Sequence, residues 1–337
     1  MTITYVLPLR CGPDREDHAD LAEYLECLSE HAEVIVVDGS SGDLFEKHAR
    51  LWPDGVRHVR PDPDLCFVNG KVDGVTTGLR AASHEAVIVA DDDVRYSLAA
   101  LLGVEARLRD ADLVVPQNVF EPTSPWHARW DTSRTLLNRA FGWDYPGTLG
   151  VRRSTFVRIG GYDGNVLFEN LELIRTVRAA GGRVAFSRDL FVPRRPPSTA
   201  GFLHQRVRQA YDDLAQPVRL VRHLSLLPVA VALASRRRWG ALAAGAAASV
   251  ALAEAGRRRD GAHRVYPGSA SVFAPAWVCE RAVCVWLALG SRLIRGGCRY
   301  RGRIVRRAAT PMAELRRRAA SRSQPEAAGS DRSIPAA

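Results

Sequence analysis

Apolar residues in the first 120 positions fall into short, nearly unbroken runs: ITYVLPL at 3 to 9, EVIVVDG at 33 to 39, AVIVADD at 86 to 92 and DLVVPQN at 112 to 118. Runs of this length, rich in β-branched residues and apolar at successive positions, predict strands covered on both faces. Between them the period changes. Leu21, Leu25 and Leu28 recur at helical spacing within 16–32, and SLAALLGVEARLR (97 to 109) opens on Ser97, a good N-cap. Strands alternating with helices predict an α/β fold on a mostly parallel sheet, where ligands bind beyond the carboxyl ends of the strands. Two runs carry acids at that edge: VIVVDGSSGD ends on Asp38, and AVIVADDDV on Asp91, Asp92 and Asp93. Adjacent carboxylates repel, so such a cluster is tolerated most easily where water or a cation neutralises it. The same residues are also good turn formers, and Asp92 or Asp93 could cap the next helix.

After residue 200 the texture changes. HLSLLPVAVALA (223 to 234) precedes Arg236–Arg238, WGALAAGAAASVALA (239 to 253) precedes Arg257–Arg259, and VFAPAWVCERAVCVWLALG (272 to 290) carries Glu280 and Arg281 at its centre. The second run makes roughly 22 Å of helix against roughly 30 Å of bilayer hydrocarbon, so none is a clean span. Apolar runs flanked by Arg and Trp predict helices that lie in or dip into a membrane interface. The alternative is a helical subdomain packed on the sheet. These boundaries divide the chain into an α/β unit at 1–215, a helical membrane-associated region at 216–310 and a basic, then disordered, tail at 311–337.

Charge follows the same division. Residues 201–337 hold 24 Arg against 8 Asp or Glu, about +16, so the net +10 leaves about −6 for residues 1–200. Arginines among apolar helices, without aromatic platforms, fit an anionic lipid surface and exclude a nucleic-acid groove. The six cysteines, at 11, 27, 66, 279, 284 and 298, form no CxxC pair and no regular spacing. They indicate neither a zinc site nor a disulfide framework, and point to a reducing compartment. The start of the chain lacks a basic segment before a long apolar core and reads as a first strand, not a signal peptide.

Five segments, in order, resemble the family 2 glycosyltransferases of GT-A fold, especially the membrane-attached branch that includes ceramide glucosyltransferase and cellulose-synthase-like enzymes. YVLPLR, with Pro8 and Arg10, resembles the family's first strand, and VIVVDGSSGD its nucleotide-binding strand end, with Asp38 at the position that recognises the nucleoside. NGKVDGVTTGLRAA (69 to 82) supplies Lys71, one of only two lysines beside 45 arginines; a compact ammonium suits a tight place near a nucleotide. ADDDV resembles the DxD motif. If strand alternation persists one residue past the run, Asp91 and Asp93 point to one side as metal ligands and Asp92 to the other, supporting the nucleotide or a neighbouring backbone. LFENLELIRTVRAAGGRV resembles the acceptor-side acidic motif, and HQRVRQ the QxxRW motif, with Gln205 and Arg208 matching and Gln209 in place of Trp.

The resemblance implies a metal-dependent (Mn²⁺ or Mg²⁺), inverting transfer from a nucleotide-diphosphate sugar, chiefly a UDP-sugar, to a lipid or lipid-linked glycan at the cytoplasmic face of a membrane. In the family the base is the Asp of a Glu-Asp pair, but here Glu169 is followed by Asn170. Either Glu169 or Glu172, three apart on one helix face, is then the base, with Glu169 favoured and Glu172 alternatively pairing with Arg175, or the acceptor is activated differently, or activity has been lost. Arg208 is suited to the departing diphosphate, and Arg194 and Arg195 either add charge nearby or belong to a solvated loop. The missing Trp favours single-sugar transfer over polymerisation. Rival readings are a nucleotidyltransferase, or a nucleotide-sugar-binding membrane protein without turnover.

Overall fold

The computed structural model describes residues 2–11 and 18–323. Seven strands form one sheet: β1 (Ile3–Leu9), β2 (Glu33–Asp38), β3 (Val56–Val59), β4 (Ala86–Ala90), β5 (Leu113–Val119), β6 (Thr148–Arg152) and β7 (Val184–Pro193). Their order is β3-β2-β1-β4-β6-β5-β7, parallel except for β6, which runs antiparallel to both neighbours. The helices alternating with them are α1 (Ala19–Ser29), α2 (Gly42–Ala49), α3 (Gly70–Ala81), α4 (Leu98–Leu108), α5 (Trp126–Phe141), α6 (Arg153–Ile159) and α7 (Glu169–Ala179).

Strand alternation sorts the core onto two faces. Tyr5, Leu7, Val34, Val36 and Ile88 pack beneath α1 and α4, while Val6, Ile35, Val37, Val87 and Val89 pack against α3, α6 and α7. Each such side chain, fully buried, contributes about 1.5–3 kcal/mol, which is why these runs show no polar alternation. Two glycines set the depth of α3. A Cβ at Gly78 would lie 2.2 Å from Val6 Cγ1, and one at Gly74 2.9 Å from Pro8 Cβ. Their absence lets α3 lie close on β1 and brings its first turn, with Lys71, to the carboxyl edge of the sheet.

The chain continues through α8 (Thr199–Ala210), α9 (Pro217–Ser235), α10 (Trp239–Arg258), α11 (Gly268–Val272) and α12 (Ala274–Ile294), then a hairpin of β8 (Cys298–Tyr300) and β9 (Arg303–Val305), and α13 (Met312–Ser323). Helices α9 and α10 exceed the apolar runs that announce them. Pro217 starts α9 a turn and a half early, and its Arg219 forms an inward ion pair with Asp213 (Nε–Oδ1 2.8 Å). By length and composition, 217–235 and 239–264 could each cross a membrane, and only 6% and 11% of their apolar windows are buried. Helix α12 instead buries Trp277, Arg281, Val285 and Ala288. The second arginine cluster is committed within the protein: Arg257 and Arg258 pair with Glu254, and Arg259 caps the Arg139 and Ala140 carbonyls at the end of α5.

Residues beyond 295 do not trail away. Leu167 and Phe168 amides donate to the Arg307 and Ala308 carbonyls, Thr310 N donates to Glu172, and α13 lies on α7 with Arg318 paired to Asp163. The stretch 311–323, expected as tail, is therefore helix packed on the sheet unit; the remaining expected tail, 324–337, lies outside the described residues.

Candidate active site

A cleft of about 800 Å³ opens at the carboxyl ends of β1, β2 and β4. Pro8 and Arg10 line it from the end of β1, Lys71 from α3, Asp91, Asp92 and Asp93 from beyond β4, and Glu169 from α7. Gln205 and Arg208 complete it from α8, where Ser198 caps the first turn and accepts from Gly201 N (3.1 Å). Phe202, Arg206 and Ala210 face inward from the same helix, so 205 and 208 fall on the cleft side by its 3.6-residue period.

The aspartates depart from strand alternation. β4 ends at Ala90, and 91–94 form a turn closed by Val94 N to Asp91 O (3.1 Å). All three carboxylates therefore reach the cleft, Asp92 included, because a turn does not send successive side chains to opposite faces. Asp91 Oδ1 lies 2.5 Å from Lys71 Nζ, and the same ammonium lies 2.6 Å from Glu169 Oε1. Burial alone would push the lysine down, but the two carboxylates hold it above the ordinary lysine range. Asp93 pairs with Arg194 through Oδ2 (Nε 3.1 Å), while its Oδ1 is buried with no hydrogen-bond partner. Burial, with Asp91 and Asp92 beside it, raises the Asp93 carboxyl despite Arg194. A Cβ at Gly147 would lie 2.6 Å from Asp91 Oδ2, so the glycine makes room for that carboxylate. An orphaned buried oxygen beside a second carboxylate, with all-oxygen donors, fits a hard divalent cation held by Asp91 and Asp93.

The two glutamates separate. Glu169 stands in the first turn of α7 with Oε2 accepting from Asn69 Nδ2 (3.1 Å), at the rim of the cleft. Glu172 is fully buried outside it: Oε2 accepts from Thr310 N (2.6 Å), and burial raises its carboxyl. Spacing of three put both on one side of α7, but the returning 307–310 segment covers the second turn and leaves only the first open. Arg175 does not pair with Glu172; it donates to the Thr310 and Ala215 carbonyls (3.1 and 2.8 Å). Asn170 Nδ2 donates to Pro146 O (3.0 Å), a bond that a carboxylate could not make.

Asp38 is not in the cleft wall. Its side chain is wholly buried, accepting from Ser40 N (2.8 Å), His48 Nδ1 (2.6 Å) and His58 Nε2 (3.2 Å). Burial would raise it, but these bonds hold it below the usual carboxylate range. Its neighbour Gly39, not its carboxylate, meets the cleft. Arg195 is half exposed and paired with Asp20 at the surface. Sequence reasoning missed Asn69, which caps α3 and holds Glu169, and Arg299, Tyr300 and Arg301, which close the cleft from the β8–β9 hairpin. Arg208 Cζ sits 5.3 Å from the Tyr300 ring centroid. Asn69 was legible as a helix cap; no local signal announces the hairpin.

Residues 17–170 match the model of glycosyl transferase family 2. The matched segment covers just under half of the chain. It contains Lys71, the three aspartates and Glu169, whereas β1, β7 and the cleft residues of α8 lie outside it. Among solved structures, the chain is similar to a mannosyltransferase from Pyrobaculum calidifontis in complex with GDP-mannose and Mn²⁺ (20% identity, 85% of this chain and 87% of that chain, TM-score 0.48). It is also similar to glucosyl-3-phosphoglycerate synthase from Mycobacterium tuberculosis with Mn²⁺, UDP and glucosyl-3-phosphoglycerate (17%, 59% and 74%, 0.41). A third is mannosyl-3-phosphoglycerate synthase from Rubrobacter xylanophilus (18%, 60% and 70%, 0.42). No curated protein sequence matches the chain.

Proposed function

We propose that this protein is a glycosyltransferase that moves a single sugar, with inversion, from a nucleotide-diphosphate sugar to a hydroxyl of a lipid or lipid-linked glycan at the cytoplasmic surface of a membrane, with UDP-sugars the first donors to test. The observation that carries the reading is the convergence of Asp91, Asp93, Lys71, Glu169 and Arg208 on one cleft. Glu169 takes the acceptor proton as the acceptor oxygen attacks the anomeric carbon and the bond to the diphosphate breaks. Lys71 orients Glu169 against Asp91, and Arg208 supplies a guanidinium for the departing diphosphate. Mn²⁺ or Mg²⁺ held by Asp91 and Asp93 would neutralise charge on that leaving group.

Arg299 and Arg301 line the cleft, and the helical region between the sheet unit and their hairpin exposes Val218, Val221, Trp239, Leu293 and Ile294. Exposed apolar side chains next to cationic ones support presentation of the acceptor from a lipid surface. The test is nucleoside diphosphate release from a panel of nucleotide sugars, with a total lipid extract and with Mn²⁺, Mg²⁺ or EDTA. Release that needs metal and disappears in both Asp91→Ala and Asp93→Ala is expected. Release of pyrophosphate, or donor binding without turnover, would overturn the reading.

A further inference from the structure

Outside the cleft, one tight group of thiol and imidazole ligands stands out among the described residues. Cys11 lies two residues past β1, His18 immediately before α1, and His48 in the last turn of α2. Each offers a ligand atom within 4.8 Å of the others, and all three are buried. Cys11 Sγ is 3.1 Å from His18 Nε2. The surroundings are built as a second layer. Asp38 Oδ2 accepts from His48 Nδ1 (2.6 Å), which places that ring's proton on Nδ1 and leaves Nε2 as the nitrogen able to ligate. Asp38 is itself fixed by Ser40 N and His58 Nε2, and Ser40 Oγ accepts from Cys11 N (2.9 Å). A carboxylate behind a ligating histidine is the usual outer support of a zinc site. The His18 and His48 rings meet edge to face (5.1 Å) with Trp52 packed against both.

We infer that Cys11, His18 and His48 bind a Zn²⁺ ion, separate from the aspartate cluster and unlike it in chemistry. One thiolate and two imidazoles suit a borderline-soft ion, whereas Mg²⁺ and Mn²⁺ prefer the oxygens of Asp91 and Asp93. On loading, the Cys11 thiol gives its proton to solvent. Among the described residues three ligands converge, and a tetrahedral ion takes a fourth donor beyond them. The ion would tie the end of β1 to α1 and α2 behind the 38–40 turn, whose Gly39 meets the cleft, so it would brace the donor-side wall. Cysteine spacing alone argued against zinc because it counts thiols along the chain. The partners here are histidines 7 and 37 residues away, joined only by the fold.

The experiment uses the full chain, stripped with chelator and then titrated with Co²⁺ in excess Mg²⁺, which occupies the oxygen site. One equivalent of Co²⁺ with a sulfur-to-cobalt charge-transfer band and tetrahedral d–d bands is expected, displaced by Zn²⁺. Cys11→Ser and His48→Gln should abolish the bands, Asp91→Asn should retain them, and Asp38→Asn should weaken Zn²⁺ affinity by about 10–100-fold. Thermal unfolding of each variant in chelator shows whether it folds. If Cys11→Ser does not fold, His18→Gln and the thermal stabilisation of wild type by Zn²⁺ in excess Mg²⁺ carry the test. No bands in wild type, or equal bands after Cys11→Ser, would leave only a thiol–imidazole hydrogen bond and overturn the proposal.

Discussion

Replacing Glu169 and Glu172 separately by Gln distinguishes the two carboxylates that spacing could not. In Glu169→Gln the side chain keeps one oxygen, which turns to Lys71 Nζ, now 2.6 Å from Oε1, while its new amide group faces Asn69 Nδ2, now 3.1 Å from Oε2. Lys71 keeps Asp91, so the fold loses about one charge-assisted hydrogen bond, about 1.5–3 kcal/mol before screening at this partly exposed rim. Catalysis loses the proton acceptor, and kcat should fall about 10²–10⁴-fold, or about 3–5 kcal/mol of barrier. Glu172→Gln should do the reverse. Burial raises the Glu172 carboxyl, so the folded state binds its proton more tightly than the unfolded state and stability falls as pH rises past the ordinary glutamate range near ~4.3. A neutral amide that still accepts from Thr310 N removes that penalty. Stability at pH 7 should be equal or higher, with kcat within about twofold of wild type. Glu172→Ala, which orphans Thr310 N, should cost about 1–3 kcal/mol. Diphosphate release and urea unfolding read both quantities. Unchanged kcat in Glu169→Gln, or a hundredfold loss in a well-folded Glu172→Gln, would refute the assignment.

Because Asp93 must be ionised to hold a cation and its carboxyl is raised, Mn²⁺ affinity measured by calorimetry should decline as pH is lowered while still above the ordinary aspartate range near ~4; a profile flat down to that range contradicts this. Asn170→Asp should not increase diphosphate release, since it sets a carboxylate against the Pro146 carbonyl; a marked gain would show that the base belongs at 170. Asp213→Asn should cost about 3–5 kcal/mol in urea unfolding, because Arg281, only 1% exposed, and Arg219 then lose their carboxylate; a loss under ~1 kcal/mol would mean that the cluster is not coupled. Val218→Glu with Val221→Glu, on the exposed face of α9, should abolish co-sedimentation with anionic vesicles; full retention would remove the membrane from the proposed function.

What the chain announces and what it hides follow from the range of the signal. The central strands were legible because burial on both faces leaves continuous apolar runs. β6 was not: it is five residues long and carries Gly150, whose Cβ would meet Val104 Cγ1 at 2.4 Å, so packing rather than propensity fixes it. Lys71, Glu169, Gln205 and Arg208 line the cleft on helix faces that the local period sets, whereas Asp91, Asp92 and Asp93 reach it through a turn that strand alternation does not foresee. Asp38 and Glu172 share those cues and still point elsewhere. His48 and His58 turn one inward, and the 307–310 segment covers the other, and neither partner is near in sequence in a way that pattern can read.

The β8–β9 hairpin bears on how the molecule is made. The ribosome finishes the family-matched segment at residue 170, yet Arg299, Tyr300 and Arg301 of the cleft and the strap from 307 to 310 emerge well over a hundred residues later. A nascent chain can therefore hold its whole sheet and remain inert until the helical region has been synthesised and its far end has swung back. Such an order keeps the cleft unfinished until every helix from α9 to α12 has been made. It also means that trimming the gene after the sheet unit would remove one wall of the cleft.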